Sequence, residues 1–168
     1  MTASTNGNGR YQNEKVPVAI IGVVNCANSI VQGDPTVAET EMGPVANRPQ
    51  YDKVLHYFAT ARDEGLEIAC GGEPNADLGG LFVRPTVVVA HPDATLAREE
   101  VFGPVLTAYT FTDEDEAIAL ANDTVYGLAG AVWTKDVHRA HRVAGAVRAG
   151  TVWINAYRVV APNMPFGG

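Results

Sequence analysis

The sequence lacks the short motifs that mark the commonest enzyme sites. It contains no GxGxxG, no GxxxxGK[ST], no GxSxG and no HExxH. These patterns build a glycine-rich dinucleotide loop, a phosphate-binding loop, a serine nucleophile elbow and a zinc-binding helix, respectively. Those kinds of site are therefore excluded, and any chemistry depends on a less common arrangement.

Cysteine and histidine are also scarce. The two cysteines, Cys26 and Cys70, are too few for a disulfide framework and form no CxxC pair, which favours a reducing cytoplasm. The four histidines are scattered, and His138 and His141 lie on a predicted exposed helix face without a third ligand. We therefore expect no metal site.

Positive charge is the third scarcity, because 12 Lys and Arg accompany 19 Asp and Glu, for a net charge of -7. Nucleic acids and anionic lipids are bound through clustered Lys and Arg, so neither is an expected partner. The nine-residue apolar run at 16–24 has no clear signal-peptide cleavage site. It is also far shorter than the ~20 residues that cross a bilayer.

What is present is an ordinary globular composition over 168 residues, 46% of them hydrophobic. This length predicts one domain. Residues 1–15 are rich in Asn, Gly, Ser and Thr and predict a disordered tail, whereas the apolar run 16–24 predicts a buried strand. The predicted domain therefore covers 16–168.

Local signals predict the elements that follow. An Asn47–Gln50 capping pair and one apolar stripe predict a helix from Pro49 to Glu64, and Gly65 ends it. Extended stretches are expected at 66–70 and 81–90.

From Val105 onward strands and helices alternate. Strands are predicted at 105–111, 128–134 and 151–156, and helices at 113–122 and 136–149, with Asp136 as an N-cap. Such alternation predicts an α/β fold, a parallel sheet with flanking helices. Ligands bind beyond the carboxyl ends of such strands, so function is expected after Thr134 and after Ala156.

The segment Glu99 to Pro104, EEVFGP, supports two interpretations. A carboxylate can accept hydrogen bonds from ribose hydroxyls while a neighbouring aromatic ring packs on nicotinamide. Alternatively, the segment is a helix end with solvated acids and a core phenylalanine, and composition alone favours that second interpretation.

Motif order favours the first interpretation, because residues 30–168 resemble the aldehyde dehydrogenase family. The matching segments keep the family's order and spacing: GDP at 33–35, MGP at 42–44, FVRPT at 82–86, EEVFGPV at 99–105, ANDTVYGL at 121–128, AGTVWIN at 149–155 and PFGG at 165–168. The resemblance implies part of a catalytic domain that oxidises an aldehyde with NAD or NADP.

The resemblance also implies roles for individual residues. Glu100 and Phe102 match cofactor contacts, Glu100 at the nicotinamide ribose. The positions that match the substrate tunnel or its entrance are Asn155, Tyr157, Val160 and Phe166. A valine at position 160, where relatives often carry an aromatic residue, implies a wider tunnel.

The departures from the family pattern concern catalysis. The family nucleophile is a cysteine in a GQ-x-C segment, but Cys26 stands only seven residues before Gly33, so a small buried thiol is favoured over a nucleophile. Cys70 is expected to serve packing. The general-base ELGG segment, the oxyanion-binding asparagine, the dinucleotide-binding domain and the final subunit-joining strand are also unmatched.

Two functions remain open on these grounds. The first is a portion of an aldehyde dehydrogenase that is inactive as an isolated chain. The alternative is a non-catalytic assembly module that pairs with a complementary or full-length aldehyde dehydrogenase chain.

Overall fold

Residues 29–157 and 159–168 are described by the computed structural model, and they divide into two units. The N-terminal unit holds residues 29–110, and the C-terminal unit holds 111–157 and 159–168. The predicted tail, the predicted strand at 16–24 and Cys26 lie outside the described residues. The single domain expected over 16–168 stays a prediction.

Helix α1, Arg48–Asp63, confirms the strongest sequence signal. The Asn47 side chain accepts a hydrogen bond from the Gln50 N–H at 2.9 Å, which satisfies one free donor of the first turn. Gly65 has a φ of +70°, a left-handed conformation that suits glycine after a helix end. The Asn47 cap and the helix stop at Gly65 are therefore confirmed, whereas the Gln50 side chain bonds a different segment and does not complete a reciprocal pair with Asn47.

The N-terminal unit contains a three-stranded sheet in the order β1-β2-β3. Its strands are β1 Glu67–Cys70, β2 Thr86–Val89 and β3 Val105–Ala108. β2 and β3 pair in parallel from Thr86 opposite Val105, whereas β1 pairs with β2 in the antiparallel sense. The sheet is therefore mixed, and β3 ends three residues before the position 111 expected from sequence.

A short helix, α2 Thr95–Arg98, precedes β3 and was not predicted. Its first turn is satisfied by Glu64, whose carboxylate oxygens accept from the Thr95 N–H at 3.2 and 3.3 Å. The core of the unit lies between α1, α2 and the sheet. It consists of buried apolar residues from these elements and their loops: Tyr51, Val54, Tyr57, Phe58, Ala61, Val83, Val88, Leu96 and Val101.

The C-terminal unit repeats a helix–strand pattern: α3 Glu114–Asn122, β4 Ala129–Val132, α4 Val137–Ala146 and β5 Thr151–Ile154. β4 and β5 are parallel neighbours, as predicted, and each is shorter than expected. The N-caps are Asp113 and Asp136, whose side chains accept from backbone N–H groups of the first turn.

The two helices of this unit are joined by ion pairs. The Glu114 carboxylate lies 2.6 Å from Arg142 Nε and 3.1 Å from Arg139 Nε. The hydrogen bond from Arg142, followed by that from Arg139, lowers the pKa of Glu114.

The observed elements confirm an α/β fold with parallel strands and flanking helices. Within the part of the chain that the structure describes, no helix combines the length and apolar character needed to cross a membrane.

Candidate functional site

The EEVFGP segment connects α2 to β3 and lies against α1. Val101 is buried and anchors the segment in the core. Gly103 lies so close to the helix that a Cβ there would meet Val54 Cγ2 at 2.6 Å. A larger residue at this position would displace the Val54 side chain or the backbone of the segment.

One side of α1 holds the backbone of the segment. The Gln50 amide donates to the carbonyls of Val101 and Phe102 at 2.9 and 2.8 Å. Lys53 Nζ donates to the Glu100 carbonyl at 3.0 Å. Three consecutive carbonyls thus accept from two side chains of one helix.

The carboxylate of Glu99 is held by the same helix. The Tyr57 hydroxyl donates to Glu99 Oε2 at 2.7 Å, and Lys53 Nζ lies 5.5 Å from the centre of the Tyr57 ring. The two acids of the motif therefore differ. Glu99 is tied to α1, whereas the exposed Glu100 carboxylate accepts no hydrogen bond from the described residues.

Phe102 projects away from the protein surface rather than into the core. Its side chain is 73% exposed, and its φ of +57° is left-handed, which costs a non-glycine residue roughly 1–3 kcal/mol. The interpretation of a core phenylalanine is therefore wrong, although the segment does follow a helix end. Gln50 bonds that backbone directly and helps to maintain the unfavourable conformation.

An open depression of about 420 Å³ adjoins the segment. It is lined by residues of α2, β3 and the EEVFGP segment: Leu96, Glu99, Glu100, Val101, Phe102, Gly103, Val105 and Thr107. The sequence-predicted pair, Glu100 and Phe102, is thus brought to one surface. A free carboxylate beside an exposed aromatic ring fits a ligand that carries hydroxyl groups and a flat ring.

Sequence reasoning did not identify Gln50, Lys53 and Tyr57 as parts of this site. They lie 42 to 52 residues before the groups they bind, so no local pattern links the two segments. In the sequence these three residues are only polar groups beside the apolar stripe of α1. Such groups cannot be distinguished from the solvated side of any amphipathic helix.

The second candidate region lies at the carboxyl ends of β4 and β5. The Asn155 side chain accepts from the Thr134 N–H at 2.8 Å and donates to the Thr134 carbonyl at 2.9 Å. The Trp153 indole N–H donates to the Val159 carbonyl at 2.7 Å, and the Tyr157 ring packs edge-on against Trp153 at 5.5 Å.

The remaining tunnel candidates lie on the surface of this unit. Tyr157, Val160 and Phe166 are 64%, 60% and 62% exposed, respectively. Their predicted role in a substrate tunnel, like that of Asn155, stays a prediction.

The described cysteine and the histidines of α4 add no further candidate site. Among residues 29–157 and 159–168, no group of three metal-binding side chains occurs. Cys70 is half-buried with its Sγ 3.8 Å from the Pro85 carbonyl, a position compatible with packing. His138 and His141 are exposed on α4, as predicted.

Comparison with known proteins places residues of both units in one protein family. Residues 13–168 match the family model described as the aldehyde dehydrogenase family. The chain is 50% identical over 140 residues to a betaine aldehyde dehydrogenase of Brucella anthropi, covering 81% of this chain and 29% of that protein.

Solved structures agree. The crystal structure of PnpE from Pseudomonas sp. WBC-3 matches with a TM-score of 0.84 and 43% identity, over 89% of this chain and 31% of that one. A betaine aldehyde dehydrogenase from Staphylococcus aureus, crystallised with NAD+, matches with a TM-score of 0.82 and 42% identity, over 88% and 30%. The chain spans less than a third of these relatives, and on sequence and structure alike it belongs to the aldehyde dehydrogenase family.

Proposed function

We propose that the chain provides the nicotinamide side and part of the substrate channel of an aldehyde dehydrogenase catalytic domain. The reaction is the oxidation of an aldehyde to a carboxylic acid with NAD+ or NADP+, in the cytoplasm. The observation that carries the proposal is the presentation of Glu100 and Phe102 on one open surface. A relative crystallised with NAD+ supports this choice of cofactor.

The residues present fit the nicotinamide half of such a cofactor. NAD(P)+ supplies the hydride acceptor when it is bound. The Glu100 carboxylate has capacity for two adjacent ribose hydroxyls, and the Phe102 ring offers a face or edge to a flat heterocycle. Gln50 and Lys53 hold the backbone from Glu100 to Phe102 in place.

The two adjacent acids provide a matched test of cofactor binding. In ligand-observed NMR, which detects millimolar affinities, NAD+ signals should respond to the wild-type chain. Glu100→Gln and Phe102→Ala should lose this response. Glu99→Gln should retain it, because the Glu99 carboxylate is bound to Tyr57 rather than to ligand. Equal responses from Glu100→Gln and Glu99→Gln would contradict the assigned role.

We further propose that the chain has no dehydrogenase activity by itself. Its sequence contains no GQ-x-C segment, and the spacing of Cys26 does not match the family nucleophile. NADH or NADPH absorbance should therefore stay constant with aliphatic and aromatic aldehydes, and with betaine aldehyde, the substrate named for several relatives. Turnover that is abolished by Cys26→Ala would overturn this and make Cys26 the nucleophile.

The alternative function is an assembly module that pairs with a full-length or complementary aldehyde dehydrogenase chain. The apolar surface of the C-terminal unit favours it: Trp133, Val137, Tyr157, Val159, Val160, Met164 and Phe166 are all at least 60% exposed. Size-exclusion chromatography with light scattering, with and without a full-length relative, tests it. A chain that stays monomeric and forms no complex with the full-length relative would count against this function.

A further inference from the structure

Asn155 closes the parallel ladder with its side chain. Its own backbone N–H donates to the Val132 carbonyl at 2.8 Å, which continues the β4–β5 pairing. The side-chain amide then bonds both the N–H and the carbonyl of Thr134. Asn155 therefore pairs with Thr134 as a backbone peptide group does, one step beyond the last regular pair of the ladder.

Asparagine suits this position for two independent reasons. The backbone of Asn155 is left-handed, with φ +51°, a conformation that asparagine tolerates better than most residues. The two bonds also require one donor and one acceptor on a short side chain. Aspartate lacks the donor, and glycine accepts the backbone conformation but lacks the amide.

The turn at Asn155 sets the direction in which the chain leaves β5. Directly after it, Tyr157 packs edge-on against Trp153, and the Val159 carbonyl accepts from the Trp153 indole. These contacts hold Tyr157 and Val159 against Trp153 of the preceding strand. The loop carries Tyr157 and Val160, two of the expected tunnel residues.

We propose that Asn155 is a positioning residue that fixes the direction in which the chain leaves β5 and, with Trp153, the placement of Tyr157 and of residues 159–160. It acts through the Thr134 backbone, with its amide already committed to protein groups. The consequence for substrate selection rests on the proposed function, because it requires that this loop lines an aldehyde channel. The geometric claim does not depend on that function.

The Trp153 indole N–H gives a direct spectroscopic readout. In the 168-residue chain carrying Trp133→Phe, which removes an exposed tryptophan, the indole signal in NMR belongs to Trp153 alone. Its exchange with water reports whether the bond to Val159 is formed. We expect Asn155→Ala and Asn155→Gly to accelerate this exchange about tenfold, since the loop opens locally when its anchor is lost. Asn155→Asp, which keeps one of the two bonds, should have an intermediate effect.

Asn122 provides a matched control in the same unit. Its amide also makes two bonds to backbone, donating to the Ala146 carbonyl at 2.9 Å and accepting from the Arg148 N–H at 2.7 Å. Asn122→Ala should therefore lower the stability of the unit comparably while the Trp153 indole exchange stays unchanged.

Two outcomes overturn the proposal: equal acceleration in the Asn122 and Asn155 variants, or none in either. If Asn155→Ala fails to fold, Asn155→Gly and Asn155→Asp give the same comparison. Glycine adopts the left-handed backbone without strain, and aspartate keeps the shape of the asparagine side chain. Failure of the proposed function is distinguishable from failure of this inference, because the two tests are independent. If NAD+ gives no NMR response, the exchange rates of the Trp153 indole still decide whether Asn155 positions the loop.

Discussion

The two units of the chain differ in how they are held together. Among residues 29–157 and 159–168, 13 apolar residues are buried; 12 of them lie in the N-terminal unit and one, Ala140, lies in the C-terminal unit. The exposed large apolar side chains of the same described ranges show the opposite distribution, with 10 of 15 in the C-terminal unit. The N-terminal unit thus has a core of its own, whereas the C-terminal unit presents much of its apolar surface to the outside.

The C-terminal unit compensates in part with polar contacts at its element ends. Glu114 joins α3 to α4, Asn122 joins α3 to the end of α4, and Asn155 joins β4 to β5. A two-stranded sheet is at best marginally stable in water without further packing. The difference indicates that the geometry of the C-terminal unit depends on a few hydrogen bonds.

The largest expected effect comes from truncating the same residue type in each unit. Phe58 is 1% exposed and Phe166 is 62% exposed. Phe58→Ala should lower the free energy of unfolding by about 3–5 kcal/mol, because it leaves a cavity in a packed core. Phe166→Ala should change it by no more than about 0.5 kcal/mol. Urea denaturation of both variants measures the contrast, and similar losses would show that Phe166 is buried in solution.

A smaller effect is expected from adding a methyl group to one glycine in each unit. Gly103→Ala places a Cβ 2.6 Å from Val54, whereas a Cβ at Gly145 meets nothing within 4 Å. We expect Gly103→Ala to destabilise the chain by about 1–3 kcal/mol through overpacking. Gly145→Ala should stabilise it by about 0.5 kcal/mol at most, since alanine is favoured over glycine in a helix but Gly145 lies in the last turn of α4.

Thermal unfolding compares the two glycine variants. NAD+ binding by Gly103→Ala reports whether the EEVFGP segment has moved. A neutral Gly103→Ala would indicate that the approach of this segment to α1 is looser than described.

The smallest effect concerns pH. The backbone hydrogen bonds from Arg139 and His138, the first the stronger, lower the pKa of Asp136, and Arg142 lowers that of Glu114. A lowered native pKa means that each carboxylate stabilises the fold fully above its ordinary value, 3.8 or 4.5, and loses this effect as pH falls through the native value. The N-cap of α1 is Asn47, which does not titrate.

In acid, helix α4 should therefore lose amide protection before α1 does. Hydrogen exchange from pH 6 downward to about pH 3 measures this order, since carboxylates protonate in that window. Asp136→Asn keeps a neutral cap and should reduce the difference, as should Glu114→Gln. Simultaneous loss in both helices would show that the two units unfold together.

Much of the fold could be predicted because its signals are local. Asn47, the apolar stripe of α1 and Gly65 lie within one helix length. From residue 105 to 156, strands and helices alternate at a regular spacing along the chain. Helix α2 was missed because four residues give no period to detect, and its cap comes from Glu64, 31 residues earlier. The antiparallel pairing of β1 also has no local signal.

The candidate sites divide in the same way. The family resemblance identified Glu100 and Phe102, whereas composition favoured a buried phenylalanine. Exposure of the Phe102 ring depends on a left-handed backbone that Gln50 supports from another element. The bonds of Asn155 to Thr134 likewise join residues 21 positions apart.

By itself the sequence determined the family and most of the helix and strand order, and it singled out candidate site residues, because motif order and short-range periodicity are properties of the chain. The tertiary structure decided which of these residues are free to act. Glu99 is occupied by Tyr57, the Asn155 amide is occupied by Thr134, and Glu100 remains available. The physical reason is that a hydrogen-bonding group has limited capacity, and only the folded chain shows which distant partner uses it.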